Sequence, residues 1–396
     1  MSLNKDYFYI FILSLLLYLP LFLRNNLVPF FGGDPYYYLN SIIHNTPLFL
    51  DNLFNVWFFS LFPANIFCIK LIMLLFTFLC GVVIYKIINL FNKKNSLIGV
   101  GLFFSLIWFN WIFLKFENDL FGFLFILLAF YFLLKYRLKK FDHKFFNFYI
   151  ISSLVFLFIG SVGFWGFGIF YIYLFLFISG FHILYFFGCL STLVFLPKLI
   201  SRLLPNFVIA ENQILVGGLI LLFLLFLYLK KNRIKCLWFP IVIGSILATI
   251  NLKFIYVVIP ILLVNISQVK ITKPIKSFLI LLILFGFITT IYQSIFIFPS
   301  YTDYEVFRVA QSSEVCNEKT YYSWSTGYVV QYWGVDTNHY GTPPPNQKKF
   351  YKNCVYTLVV DPNIKNCRIH STAKTNIFSN FNFSNFNSGI FICDSA

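Results

Sequence analysis

Residues 277–298 read SFLILLILFGFITTIYQSIFIF and contain no charged side chain. An α-helix of about 20 apolar residues is long enough to cross the hydrocarbon core of a bilayer. Similar runs occur at residues 7–23 and 214–229, and the chain of 396 residues is 59% hydrophobic and 11% charged. A typical soluble domain has about 25% charged residues. The composition therefore excludes a soluble globule and a disordered chain, and it predicts a polytopic α-helical membrane protein.

Basic residues occupy short gaps between the apolar runs. They form groups at residues 93–94, 135–144, 230–235 and 270–276. Cytoplasmic loops of membrane proteins carry an excess of Lys and Arg. We therefore predict that all four groups are cytoplasmic, which gives a cytoplasmic N-terminus and an extracytoplasmic C-terminus. The net charge of +16 then reflects membrane topology, and we expect no nucleic-acid partner.

The runs and loops together predict about eleven transmembrane helices. They lie at residues 7–23, 65–91, 96–114, 120–136, 146–163, 166–182, 184–203, 214–229, 237–250, 254–268 and 277–298. These helices form a transmembrane domain over residues 1–298, and the protein is predicted to be a multi-pass protein of the cell membrane.

The composition changes after Phe298. Residues 299–396 are rich in Asn, Ser, Thr, Tyr and charged residues, with β-like stretches at 328–332 and 355–360. This region predicts a small extracytoplasmic domain of mixed α/β structure. It also contains an even number of cysteines in a compartment that permits disulfides, namely Cys316, Cys354, Cys367 and Cys393. Two disulfides with three possible pairings are expected, and a Cys₄ zinc site is the alternative, although no C-x₂-C spacing supports it.

Five acidic residues of the transmembrane domain fall on the extracytoplasmic side. They are Asp34, Asp51, Glu117, Asp119 and Glu211. A single carboxylate at the end of a span is usually a solvated loop residue, but several that converge are functional candidates. Oxygen ligands from separate loops suit Mg²⁺ or Mn²⁺, and no His or Cys joins them as zinc or copper would require.

Lys253 is one of few extracytoplasmic cations in the transmembrane domain. It begins the segment KFIYVVIP at residues 253–260. A lysine at the end of a span often extends its ammonium group to the membrane interface. The functional alternative is a point charge that binds a lipid-linked phosphate.

At these residues the chain resembles the catalytic subunit of oligosaccharyltransferase in its archaeal single-subunit form, a GT-C membrane glycosyltransferase. Residues 33–37 (GDPYY) resemble the first-loop Asp motif, and residues 117–119 (END) resemble the acidic pair between the third and fourth spans. Residues 208–213 (VIAENQ) are similar to the Ala/Ser-Glu motif of the fifth extracytoplasmic loop. Residues 252–260 (LKFIYVVIP) are similar to the Arg-Phe…Pro segment, with Lys for Arg. The four motifs occur in the family's order and on the expected side of the membrane.

The resemblance implies an inverting transfer of an oligosaccharide from a polyprenyl phosphate or diphosphate to the side-chain amide of an acceptor Asn. Asp34, Glu117 and Asp119 would hold Mn²⁺ or Mg²⁺, and Asp34 with Glu211 would bind the acceptor amide. Lys253 would bind the lipid phosphate. The implied partners are the lipid-linked oligosaccharide, an acceptor polypeptide and membrane lipid, with a monomeric single-subunit enzyme.

The motif that reads the acceptor sequence differs from the family's Trp-Trp-Asp-Tyr-Gly. Residues 323–328 read SWSTGY, so Trp324, Gly327 and Tyr328 are the residues that would contribute to recognition. This difference keeps open a GT-C transferase that uses a hydroxyl or lipid acceptor. A non-catalytic membrane paralogue is a further alternative, although it predicts loss of the acids that are present here.

Overall fold

The computed structural model describes residues 5–23, 39, 42, 61–62, 65–105, 118–138, 143–163, 167–192, 264, 268, 271–296, 320–322, 354–357, 367–373 and 388–393. This part of the chain is mostly helical. Its helices are α1 (Lys5–Leu23), α2 (Ile66–Asn89), a 3₁₀ turn (Lys93–Asn95), α3 (Ser96–Ser105), α4 (Asn118–Leu138), α5 (His143–Gly163), α6 (Phe167–Ser179), α7 (Ile183–Thr192) and α8 (Lys273–Phe296). Its strands are β1 (Thr320–Tyr322), β2 (Cys354–Thr357), β3 (Cys367–Ala373) and β4 (Ser388–Cys393).

Each described α-helix overlaps one of the predicted spans. Two segments, Ile66–Asn89 and Leu120–Leu138, are long and apolar enough to cross a membrane by length and composition. The described fold is therefore compatible with a helical membrane protein. The predicted spans at 214–229 and 237–250 lie outside the described residues, so the number of eleven remains a prediction.

Helix α5 is apolar on the face that it leaves uncovered. Four large apolar side chains recur on it at helical spacing, each more than half exposed: Phe148, Ile151, Val155 and Phe158. Of the residues between them, Ser153 is fully buried and bonds to Ala129 of α4, and Phe156 stacks on Phe132 of α4. A helix that is apolar all round requires either complete burial or a lipid environment. The uncovered face of α5 has the composition expected of a surface in contact with lipid.

Helices α4 and α5 form an antiparallel pair. Lys135, near the end of α4, lies 5.5 Å from the ring centre of Tyr149, near the start of α5. At the other end of the pair, Gly160 of α5 lies directly against Ile126 of α4. Between these points the ring of Phe132 stacks on Phe156 with a centroid distance of 5.5 Å. The contacts run in opposite order along the two helices, as a short connection between consecutive spans requires.

A buried hydroxyl network joins this pair to α7. Ser153 Oγ donates to the backbone carbonyl of Ala129 at 2.6 Å, and it lies 2.6 Å from Tyr185 Oη. Because the serine proton is directed at Ala129, the Tyr185 hydroxyl donates to Ser153 Oγ. Ser153, Ala129 and Tyr185 are all fully buried. Hydrogen bonds of this kind hold transmembrane helices together where no water can replace them.

Contacts within the chain divide it into two units. The first comprises Met1–Leu16, Leu74–Asn110 and Asn118–Phe287, and the second comprises Leu17–Met73, Trp111–Glu117 and Ile288–Ala396. In the first unit α1 lies antiparallel to α2, since Tyr7 contacts Tyr85 and Phe11 contacts Phe78. In the second unit Phe22 contacts Phe67 with a centroid distance of 5.9 Å.

The four strands form one mixed sheet in the order β1-β2-β4-β3. Strands β1 and β2 are parallel, while β4 is antiparallel to both β2 and β3. An irregularity interrupts the β3–β4 register between Ile369 and Ser371. Strand β2 overlaps the β-like stretch predicted at 355–360, and the stretch predicted at 328–332 lies outside the described residues. All described residues beyond 298 are in these strands.

The α4–α5 contact is expected to be sensitive to a single added methyl group. A Cβ at position 160 would lie 2.9 Å from the Gly122 carbonyl oxygen and 3.0 Å from the Ile126 amide nitrogen. Because both are backbone atoms, the helices must separate, and overpacking of this kind costs about 1–3 kcal/mol. We expect Gly160→Ala to lower the thermal unfolding temperature of the detergent-purified protein.

Gly188→Ala is the matched control. A Cβ at position 188 would find its nearest neighbour, Ile172 Cγ2, at an ordinary 3.6 Å. Alanine favours a helix over glycine by about 1 kcal/mol, so this variant is expected to be as stable as the parent protein or more stable. Equal melting temperatures for Gly160→Ala and the parent would contradict the close approach of α4 and α5.

Candidate functional site

Asp119 is the one predicted site residue whose backbone the structure describes. It is the second residue of α4. The other predicted site residues lie outside the described ranges: Asp34, Glu117, Glu211, Lys253, Trp324, Gly327 and Tyr328. Their convergence on a metal ion, a lipid phosphate and an acceptor therefore remains a prediction. Among the described residues, no three His, Cys, Asp or Glu side chains lie close enough together to bind a metal ion.

Helix α4 carries opposite charges at its two ends. Asp119 lies in its first turn, and Lys135 and Arg137 lie in its last turn. Both placements are favourable, because the helix dipole is positive at the N-terminus and negative at the C-terminus. The 18 residue steps from Asp119 to Arg137 span about 27 Å along the axis, close to the thickness of a bilayer core of about 30 Å. If α4 crosses a membrane, its acidic and basic ends therefore face opposite sides.

The basic end of α4 contacts the turn between α6 and α7. Gly180 adopts a left-handed conformation with φ of 73°, and the Phe181 amide donates to the Leu176 carbonyl at 2.9 Å, which closes α6 in a Schellman motif. A Cβ on Gly180 would lie 2.9 Å from Arg137 Nη1, so the guanidinium group packs directly on the glycine. The rings of Tyr136 and His182 meet edge to face at 5.7 Å. The sequence did not predict this contact between non-consecutive helices.

Lys70 is a buried cation whose structural role was not predicted from the sequence. It is 3% exposed, and its ammonium group donates to the backbone carbonyl of Leu21 at 2.6 Å. Leu21 lies in the last turn of α1, where carbonyl groups have no partner within the helix. A cation at that position also interacts favourably with the negative end of the helix dipole. The signal in the sequence is a single lysine inside the apolar run IFCIKLIMLLF.

Removal of the Lys70 ammonium group is expected to destabilise the protein. In Lys70→Met the side chain keeps its length, but the Leu21 carbonyl loses the hydrogen bond and remains away from water. The cost of an unsatisfied buried group is about 1–3 kcal/mol, measured as a lower unfolding temperature in detergent. Lys86→Met is the control, because Lys86 lies on the same helix and is exposed. Equal effects of the two substitutions would refute a specific role for Lys70.

Within the described residues, only Asp119, in the first turn of α4, belongs to the set of site residues that the resemblance implies. Other polar contacts of the described residues lie within helices, as for Ser14 and Ile10, or between helices, as for Lys70 and Leu21. Comparison of the chain with protein-family models, with curated proteins and with solved structures finds no match.

Proposed function

We propose that this protein is a metal-dependent oligosaccharyltransferase that transfers an oligosaccharide from a polyprenyl phosphate or diphosphate to an acceptor Asn. The observation that carries the proposal is the order of four motifs along the chain, at residues 33–37, 117–119, 208–213 and 252–260. Each falls at the extracytoplasmic end of a predicted span. The position of Asp119 in the first turn of α4 agrees with this arrangement.

The proposed architecture is a GT-C-like bundle of about eleven transmembrane helices with a small extracytoplasmic domain over residues 299–396. A bundle of this kind requires successive spans to cross the membrane in alternating directions. The described contacts support this alternation. Asp6 accepts a hydrogen bond from Tyr85, and Arg137 packs on Gly180. All four of these residues lie at ends of spans that the basic loops assign to the cytoplasm. Lys70 and Leu21, which also contact each other, lie toward the opposite ends of their helices.

The proposed residues suit the chemistry of amide glycosylation. The lone pair of an amide nitrogen is delocalised into the carbonyl group, so the nitrogen is a poor nucleophile. Asp34 and Glu211 would accept hydrogen bonds from its two N–H groups and so reduce that conjugation. The new C–N bond forms as the bond between the sugar carbon and the lipid phosphate oxygen breaks. One amide proton leaves to a carboxylate, and the sugar carbon is inverted.

Three carboxylates form a donor set that fits Mn²⁺ or Mg²⁺. Asp34, Glu117 and Asp119 would hold the ion, which supplies charge stabilisation for the departing phosphate. Lys253 would add a positive charge beside that phosphate. The same Asp34 carboxylate would thus hold both the ion and the acceptor amide, which fixes the acceptor next to the leaving group.

A second function is favoured by one observation, the sequence SWSTGY at residues 323–328. It lacks the second Trp and the Asp with which the family reads an acceptor sequence. A GT-C transferase that passes a lipid-linked sugar to a hydroxyl or lipid acceptor needs no such motif. This alternative keeps the acids and Lys253 in their roles and changes only the acceptor.

We expect the purified full-length protein to glycosylate a fluorescent Asn-X-Thr peptide with a polyprenyl diphosphate- or monophosphate-linked oligosaccharide in the presence of Mn²⁺. Addition of EDTA is expected to abolish transfer. Asp34→Asn, Glu117→Gln and Glu211→Gln are each expected to lower the rate by about 100-fold or more, because each removes a charge that contacts the ion or the acceptor. The readout is the shift of the peptide on a gel.

Asp51→Asn is the control for this series. Asp51 is an extracytoplasmic acid on the same side, outside all four motifs, and its loss is expected to leave the rate unchanged. A preparation that binds the lipid donor but glycosylates no Asn peptide would overturn the proposed acceptor. Transfer of the sugar to a hydroxyl or lipid acceptor in that preparation would establish the second function instead.

The role of Lys253 is tested separately, by measuring the transfer rate at different concentrations of the lipid donor. Lys253→Met is expected to lower kcat/KM for the donor by about 10- to 100-fold, because a hydrogen bond to a charged group contributes about 1.5–3 kcal/mol. Lys253→Arg keeps the charge and is expected to retain most of the activity. Lys198→Met, which removes another extracytoplasmic cation, is the control. Unchanged kcat/KM in Lys253→Met would rule out contact with the phosphate.

A further inference from the structure

We propose that Cys367 and Cys393 form a disulfide that joins β3 to β4. The proposal identifies one covalent pair among the four cysteines of residues 299–396. It goes beyond glycosyl transfer, although it rests on the extracytoplasmic location that the proposed function assigns to this region.

The backbone register places the two cysteines opposite each other. Cys367 and Cys393 are partner positions on the antiparallel strands β3 and β4. Opposite Cα atoms in an antiparallel pair are about 4.5 or 5.5 Å apart, depending on whether the pair exchanges hydrogen bonds. A disulfide joins Cα atoms that are about 4.4–6.8 Å apart. The two positions therefore meet the distance requirement without movement of the backbone.

Cys354, on β2, occupies the opposite face of the same sheet. Its partner on β4 is Ile392, and the partner of Ile392 on β3 is Arg368. Partner positions share a face, and successive residues of a strand alternate between faces. Cys354 therefore lies on the same face as Arg368 and Ile392. Cys367 is the neighbour of Arg368 on β3, and Cys393 is the neighbour of Ile392 on β4, so both lie on the other face. Among the three cysteines that lie in the described strands, the sheet permits one pair.

The face assignment also bears on the alternative of a zinc site. A Cys₄ site requires all its thiolates on one side of the sheet around a single ion. Because Cys354 lies on the other face from Cys367 and Cys393, the strands do not bring the three to one point. The disulfide is the pairing that the register favours.

The oxidation step is an ordinary thiol–disulfide exchange. The thiols of Cys367 and Cys393 lose two protons and two electrons as the S–S bond forms. The electrons pass to the disulfide of a thiol oxidoreductase or of oxidised glutathione, which is reduced to two thiols.

Tryptic mapping tests the pair, because each of the four cysteines falls in a different tryptic peptide. These are residues 309–319, 353–365, 366–368 and 375–396. Full-length protein is purified from membranes with its free thiols alkylated at lysis, digested without reduction and analysed by mass spectrometry. We expect the tripeptide NCR (366–368) linked to residues 375–396, and the linked species is lost on reduction.

Two variants control the assignment. Cys354→Ser is expected to leave the link between residues 366–368 and 375–396 intact, and Cys393→Ser is expected to abolish it. A second sample, reduced and then reoxidised in a glutathione buffer, tests the pairing independently of the compartment. A link between residues 353–365 and either 366–368 or 375–396, or alkylation of Cys367 and Cys393 in both samples, would overturn the proposal. A protein that transfers sugar but gives either result would leave the proposed function standing.

Discussion

Close antiparallel packing of α4 on α5 is the constraint on which the described helical part most depends. A lipid environment provides little hydrophobic drive for two apolar helices to associate, so association must come from close packing and hydrogen bonds. Gly160 lets the two backbones approach, and Ser153 donates directly to a carbonyl group of the facing helix. The stacked rings of Phe132 and Phe156 fill the space between these points. The same serine also accepts from Tyr185, which extends the pair to a third helix.

Several polar side chains in the described apolar helices donate to backbone carbonyl groups. Ser14 donates to Ile10, Ser105 donates to Leu102, and each hydroxyl is buried within its own helix. Lys70 makes a bond of the same kind between two helices, since its ammonium group donates to a carbonyl group in the last turn of α1. An unsatisfied polar group in hydrocarbon costs several kcal/mol. The nearby carbonyl groups therefore stabilise these serine and lysine side chains within the helices.

The proposed chemistry makes a different demand on the fold. Four acids and one lysine from four separate motifs would have to meet at the extracytoplasmic side, and the helices would fix the distances between them. Helix α4 illustrates the principle, because its acidic and basic ends are separated by about the thickness of a bilayer core. Beyond residue 298 the structure describes four strands of three to seven residues. A covalent link between β3 and β4 would compensate for the limited core that four short strands can bury.

Composition and periodicity by themselves determined that the described chain is mostly helical and where its helices lie. The apolar runs at residues 7–23, 65–91 and 120–136 predicted α1, α2 and α4 within a few residues, because apolar length is a local property of the sequence. Asp119 was predicted between the third and fourth spans, just before the span at 120–136, and it lies in the first turn of α4, which begins at Asn118. Which segments of the chain contact each other was decided by the tertiary structure alone. Lys70 capping α1, Arg137 on Gly180 and Cys367 opposite Cys393 each join segments that are distant in the chain. Such contacts depend on helix crossing and strand register, which no local pattern encodes.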